Sequence, residues 1–197
     1  MRYEKGHKEN TRKRILGAAA RRFRQDGASA SGLAAIMADA GLTNGALYLH
    51  FDSKEALFRD ALADALADRH TEFGRDNPPG CGTEAVIRWY LNADHLARSG
   101  NGCPSAALLP EICRQPERTR KAYEDGLLAY VYSLVDHLPD PGSEESHRRA
   151  MAIFSLMVGT LQIARAVHDA SLALEILEGG VHAAMRLAGD DGVPVYR

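Results

Sequence analysis

The chain has 197 residues, 45% hydrophobic and 25% charged, the balance of a globular protein with material for one large or two small domains. No run approaches the ~20 apolar residues of a bilayer span, and no apolar segment follows the charged N-terminus as in a signal peptide, so the expected location is the cytoplasm. Three cysteines without paired spacing argue against a disulfide framework. The net charge of −2 conceals an asymmetry: residues 1–25 hold nine Lys or Arg against Glu4 and Glu9, a net of +7, and the rest of the chain carries −9. A basic arm on an acidic body is the pattern of a protein in which only the arm meets phosphate.

Residues 8–24 read as a helix with Leu16, Ala19, Ala20 and Phe23 on one face and Arg14, Arg21 and Arg24 elsewhere around it. Gly27 is placed to end it. Ser31 is the expected cap of a second helix that runs to about Ala40, with Leu33, Ile36 and Met37 turned inward. Gly41 supplies a turn, and Thr43 opens a third helix of barely two turns that ends near His50-Phe51. Asp52 or Ser53 opens a fourth, with Glu55 in its first turn and Phe58, Leu62, Ala65 and Leu66 continuing an apolar stripe to about Phe73. Asn77-Pro78-Pro79-Gly80 is the clearest break in the chain.

The second region is helical as well, with helices expected at roughly 83–98, 105–114, 117–137, 143–168 and 171–188. Gly100-Asn101-Gly102 with Pro104, Pro116, and Pro139-Asp140-Pro141-Gly142 separate them. No segment alternates with period two over a convincing length, so no sheet is expected. The fold expected is all-α with about nine helices. A three-helix helix-turn-helix DNA-binding domain occupies 1–54, the helix of about 53–73 connects, and a helical ligand-binding and dimerisation domain spans 74–197. Ala150, Phe154, Met157, Leu161 and Ala164, and likewise Leu174, Leu177, Val181, Ala184 and Ala188, step by threes and fours as heptad-like seams. These seams make either a four-helix dimer interface, through Phe154, Met157, Leu161, Leu174, Leu177, Val181 and Ala184, or an intrachain core. Gly179-Gly180 either admits another backbone closely or kinks the last helix.

The short helix at 43–50 has few core residues; Leu47 and Phe51 anchor it, and Gly45 and Ala46 keep its leading edge thin enough for a major groove about 12 Å wide. Asn44 can pair with the N6/N7 edge of adenine, Thr43 can reach a base or a phosphate, and Tyr48 and His50 carry polar tips suited to phosphate oxygens. Lys54 places a charge at a helix N-terminus that already favours an anion. Ser31, and Arg12 and Arg14 of the basic helix, join them as expected DNA contacts. The run from Ala40 to Leu57, Gly-Leu-Thr-Asn-Gly-Ala-Leu-Tyr-Leu-His-Phe-Asp-Ser-Lys-Glu-Ala lying between, resembles the DNA-binding domain of the TetR family of bacterial transcriptional regulators, as do the basic first helix and Ser31. The resemblance covers about a quarter of the chain. It implies DNA-contacting roles for Thr43, Asn44, Gly45, Tyr48, His50 and Lys54, a palindromic operator bound by a homodimer, repression, and release by a small molecule held in the C-terminal helices. Asn44 stands where the family often has lysine. Leu49 stands where a polar or basic residue is usual, which suggests contact with a thymine methyl.

In the C-terminal region Trp89, Tyr90, Tyr123, Tyr130, Tyr132, Phe154 and Met157 are candidate pocket walls, with Arg88, His95 and Gln162 as polar fixtures and Cys103 beside them. Cys103, just before a helix, is either a redox- or electrophile-sensing thiol or a packing residue. Cys81, Cys103 and Cys113 lack the close ligand pairs of a zinc site, and no metal or cofactor is expected. No catalytic residue is expected: Ser105 and His95 have no nucleophile elbow, and phosphate-loop, dinucleotide and zinc-protease motifs are absent. An architectural DNA binder without an inducer is a rival to the ligand-responsive regulator.

Overall fold

The computed structural model describes residues 5–189, and for Lys5 the backbone alone. Arg2 and Glu4 of the basic arm lie outside the described residues. Among these there are nine α-helices, two short 3-10 helices and no strand. In chain order α1 is Lys5–Asp26, α2 Leu33–Asp39, α3 Lys54–Asp76, α4 Thr83–Tyr90 and α5 Ala93–Ala97. They are followed by α6 Pro104–Ile112, α7 Glu117–Val135, α8 Glu144–Ala166 and α9 Ala170–Ala188. The 3-10 helices are Asn44–Leu49 and Ser99–Asn101. Two compact units result, one of the chain up to Arg69 with Ser99–Gly126, the other of His70–Arg98 with the chain from Leu127 onward.

In the first unit Ile15, Leu16, Ala19 and Phe23 of α1 share one core with Ile36 and Met37 of α2, with Leu47, and with Leu57, Phe58 and Leu62 of α3. Each of these side chains larger than alanine contributes roughly 1.5–3 kcal/mol on burial. Phe23 and Phe58 meet edge to face at 5.2 Å. Leu108 and Ile112 of α6 belong to the same core. The second helix starts two residues later than its expected cap: Gly32 holds the cap position, and the buried Ser31 hydroxyl donates to the Gly27 carbonyl at 2.6 Å. The side chain turns back to that carbonyl instead of forward to the N–H groups of α2. Polar ties join α6 and the residues before it to the end of α1. The Ala28 N–H donates to Glu111 Oε2 at 2.7 Å, and Arg24 Nε donates to the Gly100 carbonyl at 2.7 Å.

In the second unit the helix expected over 83–98 is broken at Leu91-Asn92. Asn92 Oδ1 accepts the His95 N–H at 2.8 Å, and Asn92 Nδ2 donates to the Trp89 carbonyl at 2.7 Å. One side chain thereby closes α4 and caps α5, which propensity alone would have run together. Helices α8 and α9 pack along the seam read from sequence, and the seam is intrachain. Phe154, Met157, Leu161, Leu177, Val181 and Ala184, expected at a dimer interface, are buried within this chain. Leu174 stays 51% exposed, off the seam. Helix α9 runs unbroken through Gly179-Gly180, and a methyl group at Gly180 would collide with the Thr160 side chain, so the glycine serves close approach and not a kink. On its outward side each helix keeps a second row of small and apolar residues at least partly open to solvent. The row is Ala152, Leu156, Gly159 and Ile163 on α8, and Leu172, Ile176, Gly179, Ala183 and Leu187 on α9.

Candidate nucleic-acid interface

Gly41, at φ +66°, turns the chain after α2; its N–H donates to the Ala38 carbonyl and that of Leu42 to Met37, both at 2.9 Å. A side chain at that φ would be strained, so the turn requires glycine. Thr43 follows in extended conformation with no capping bond from its side chain. The third helix is therefore a 3-10 helix, Asn44–Leu49, and not the α-helix expected at 43–50. Short helices of this kind often wind as 3-10 turns. Three residues per turn put Gly45 and Tyr48 in one outward row, with Leu49 exposed beside it, while Leu47 points into the core and Ala46 packs partly against it.

Tyr48 is 67% exposed and Leu49 71%. Two large side chains held adjacent in water by a buried anchor have no packing purpose within the chain. Asn44, Thr43 and Gly45 are exposed beside them. Ser53 opens α3, its Oγ accepting the Ala56 N–H at 3.0 Å, and Lys54 sits in the first turn with Nζ donating to the Ser29 carbonyl at 3.3 Å. His50 closes the 3-10 helix next to Phe51, with its ring Nδ1 buried and without a hydrogen-bond partner among the described residues. Burial first, then the charges of Lys8 and Arg12, hold its imidazole below the ordinary histidine range.

Three expected contacts prove to be occupied within the domain. Ser31 is buried, as above. Arg12 Nη2 donates to Asp60 Oδ2 at 2.5 Å while its guanidinium stands 4.9 Å from the centre of the Phe51 ring. Arg14 Nη2 donates to the Ala40 carbonyl at 2.6 Å, a cation at the C-terminal end of α2. These two arginines brace the helix-turn-helix from behind. Lys8, which the sequence does not single out, is the exposed cation that reaches His50 electrostatically, and its signal was the four-residue step to Arg12.

The pocket residues nominated from sequence divide between the units, Cys103 and Tyr123 in the first and the others in the second. In the second unit, ring centroids run Phe73–Tyr130 at 4.8 Å, Tyr130–Phe154 at 5.1 Å, Phe154–Tyr90 at 6.2 Å and Tyr90–His95 at 4.8 Å, a continuous aromatic array with Met157 buried nearby in sequence on α8. Trp89 extends it from Phe73 at 5.7 Å and is half-buried, as is Gln162. Tyr132 is exposed. Tyr123 donates its hydroxyl to Ser105 Oγ at 3.1 Å, and burial pushes its phenol up. Cys103 is buried at the cap of α6, closed to the soluble oxidant or electrophile that a sensing thiol needs. Among the described residues no helix is long and apolar enough to cross a membrane.

A family model described as bacterial regulatory proteins, tetR family, matches residues 15–61, the segment from the middle of α1 through the start of α3. Over that segment the chain is similar to the TetR family. It is 28% identical over 176 residues to the HTH-type transcriptional regulator TtgR of Pseudomonas putida, covering 82% of this chain and 83% of TtgR. It is 28% identical over 175 residues to the probable HTH-type transcriptional regulator ArpR of Pseudomonas putida, with the same coverage. A TetR-family regulator from Cytophaga hutchinsonii has the same fold, at a TM-score of 0.75 and 19% identity over 98% of this chain and 100% of that one. These relatives are described as transcriptional regulators, and the exposed 3-10 helix lies inside the segment that the family model matches.

Proposed function

We propose that this protein is a cytoplasmic TetR-family repressor that binds an inverted-repeat operator as a homodimer and leaves it when a small molecule occupies its C-terminal unit, with no enzymatic activity of its own. The observation that carries the reading is the pair Tyr48 and Leu49, exposed side by side on a short helix that Leu47 anchors. Thr43, Asn44 and Leu49 read base edges. Gly45 and Ala46 allow the backbone to approach, and Tyr48, His50, Lys54 and Lys8 take phosphates. The outward rows of α8 and α9 meet their copies across the two-fold axis. The aromatic array of Tyr90, Tyr130, Phe154 and His95 supports an aromatic or otherwise apolar inducer.

The test is selection of bound duplexes from a random pool by the purified full-length protein, followed by footprinting. The expected product is a symmetric site whose half-sites lie about 34–36 Å apart, or a multiple of that spacing. Tyr48→Ala is expected to abolish binding of the selected duplex in a gel shift while leaving the helical circular-dichroism signal and the oligomeric state intact. Full affinity in that variant would remove the 3-10 helix as the reader.

A further inference from the structure

The three cysteines differ in what surrounds them. Cys103 is buried and Cys113 exposed; Cys81, partly exposed, has its Sγ 3.8 Å from His137 Nδ1. The juxtaposition is held from two other directions. Thr83 Oγ1 donates to the His137 backbone carbonyl at 2.5 Å, tying the first residue of α4 to the segment just after α7, and the Phe73 ring meets the His137 ring edge-on at 5.5 Å. The cysteine is partly exposed, and the glycines that flank it, Gly80 and Gly82 at φ +87° and +90°, stand in open space, where a Cβ on either would find nothing within 4 Å. We propose that Cys81 and His137 form a nucleophile–base pair, a modification site at which soft α,β-unsaturated carbonyl compounds add to the protein.

Burial holds the His137 imidazole below its ordinary range, against the opposing pull of Asp136, so the ring is neutral near pH 7 and Nδ1 offers a lone pair. With the ring proton on Nε2, Nδ1 accepts the thiol proton as the sulfur attacks. The C–S bond forms at the β-carbon, the π pair of the C=C bond shifts to the α-carbon, and that carbon takes a proton from the imidazolium. The His137 ring returns to its neutral form. The product is a thioether; nothing leaves, and no oxidant or reductant takes part. Cys113, exposed and with no imidazole among its hydrogen-bond partners in the described residues, is the internal reference.

The experiment uses the full-length protein and a substoichiometric pulse of N-ethylmaleimide, with the labelled peptides quantified by mass spectrometry. Cys81 is expected to react about tenfold faster than Cys113, less than general-base assistance can deliver and enough to read. The preference should collapse toward equality in guanidinium chloride, where the pair no longer exists. His137→Gln, checked for folding by circular dichroism, should bring the Cys81 rate down to that of Cys113. Native labelling of Cys113 first, a ratio that unfolding leaves unchanged, or an undiminished Cys81 rate in folded His137→Gln would each overturn the assignment. The comparison of native with unfolded wild-type protein decides the matter even where the variant does not fold.

Discussion

Two histidines stand where folding disfavours their protons: His50 through burial with Lys8 and Arg12 beside it, and His137 through burial. Unfolding releases both to the ordinary value of about 6.5, so below that pH the unfolded chain binds more protons than the native one. Stability is therefore fully present above that range and is lost as pH falls through about 6.5, levelling off once the native rings also protonate. Thermal melts followed by circular dichroism should show Tm dropping from pH 7 to pH 5, and His50→Asn should make the drop shallower; an unchanged slope would count against the burial of this ring as its cause. Residue identity made the exposed members of the site legible, because Asn44, Tyr48 and Leu49 have no role in a core already supplied by Leu47 and Phe51. It did not reveal the fate of Ser31, Arg12 and Arg14. A hydroxyl or guanidinium announces a donor, and which acceptor it finds depends on chain that is distant in sequence, such as Asp60 for Arg12.

Among the elements, α6 is the one whose place the sequence leaves open. Its composition predicts a helix at 105–114, and a helix forms at Pro104–Ile112, but nothing in its pattern says that Leu108 and Ile112 complete the core of the N-terminal helices. A linear reading assigns it to the C-terminal domain because the Asn77–Gly80 break precedes it. The Glu111 carboxylate is the polar part of that attachment. Glu111→Ala would leave the Ala28 N–H without its acceptor, at a cost of about 1–3 kcal/mol, whereas Glu111→Gln keeps an acceptor oxygen in place and should lie near wild type. Urea unfolding of the two variants checks this, and equal destabilisation by both would mean that charge, not the hydrogen bond, matters there. The recognition element teaches the converse lesson: its existence and limits were readable from Gly41, Thr43 and Phe51, while its 3-10 winding is not encoded in the residue pattern.

For the whole molecule the outward rows of α8 and α9 are the surface on which the proposed dimer rests. The heptad steps were visible in sequence, but a period of three and four fits either face of a helix, and burial shows that the larger residues at 154, 157 and 161 serve the intrachain seam. Ile163, 58% exposed, is then the natural probe. Ile163→Asp should cost the isolated chain no more than about 0.5 kcal/mol, yet it would set two like charges against a dimer axis; sedimentation should show a shift toward monomer and loss of cooperative binding to the full operator. A dimer unaffected by this change would move the interface elsewhere. The sharing of one core by α1–α3 and α6 has a practical consequence for anyone who treats the DNA-reading end as an exchangeable cartridge. A graft cut at the Asn77–Gly80 loop carries away one wall of a packed interior and sets foreign side chains against Leu108 and Ile112. Chimeras that transplant 99–126 together with the first 69 residues should melt in one sharp transition, and those that transplant only the N-terminal piece should melt early and broadly.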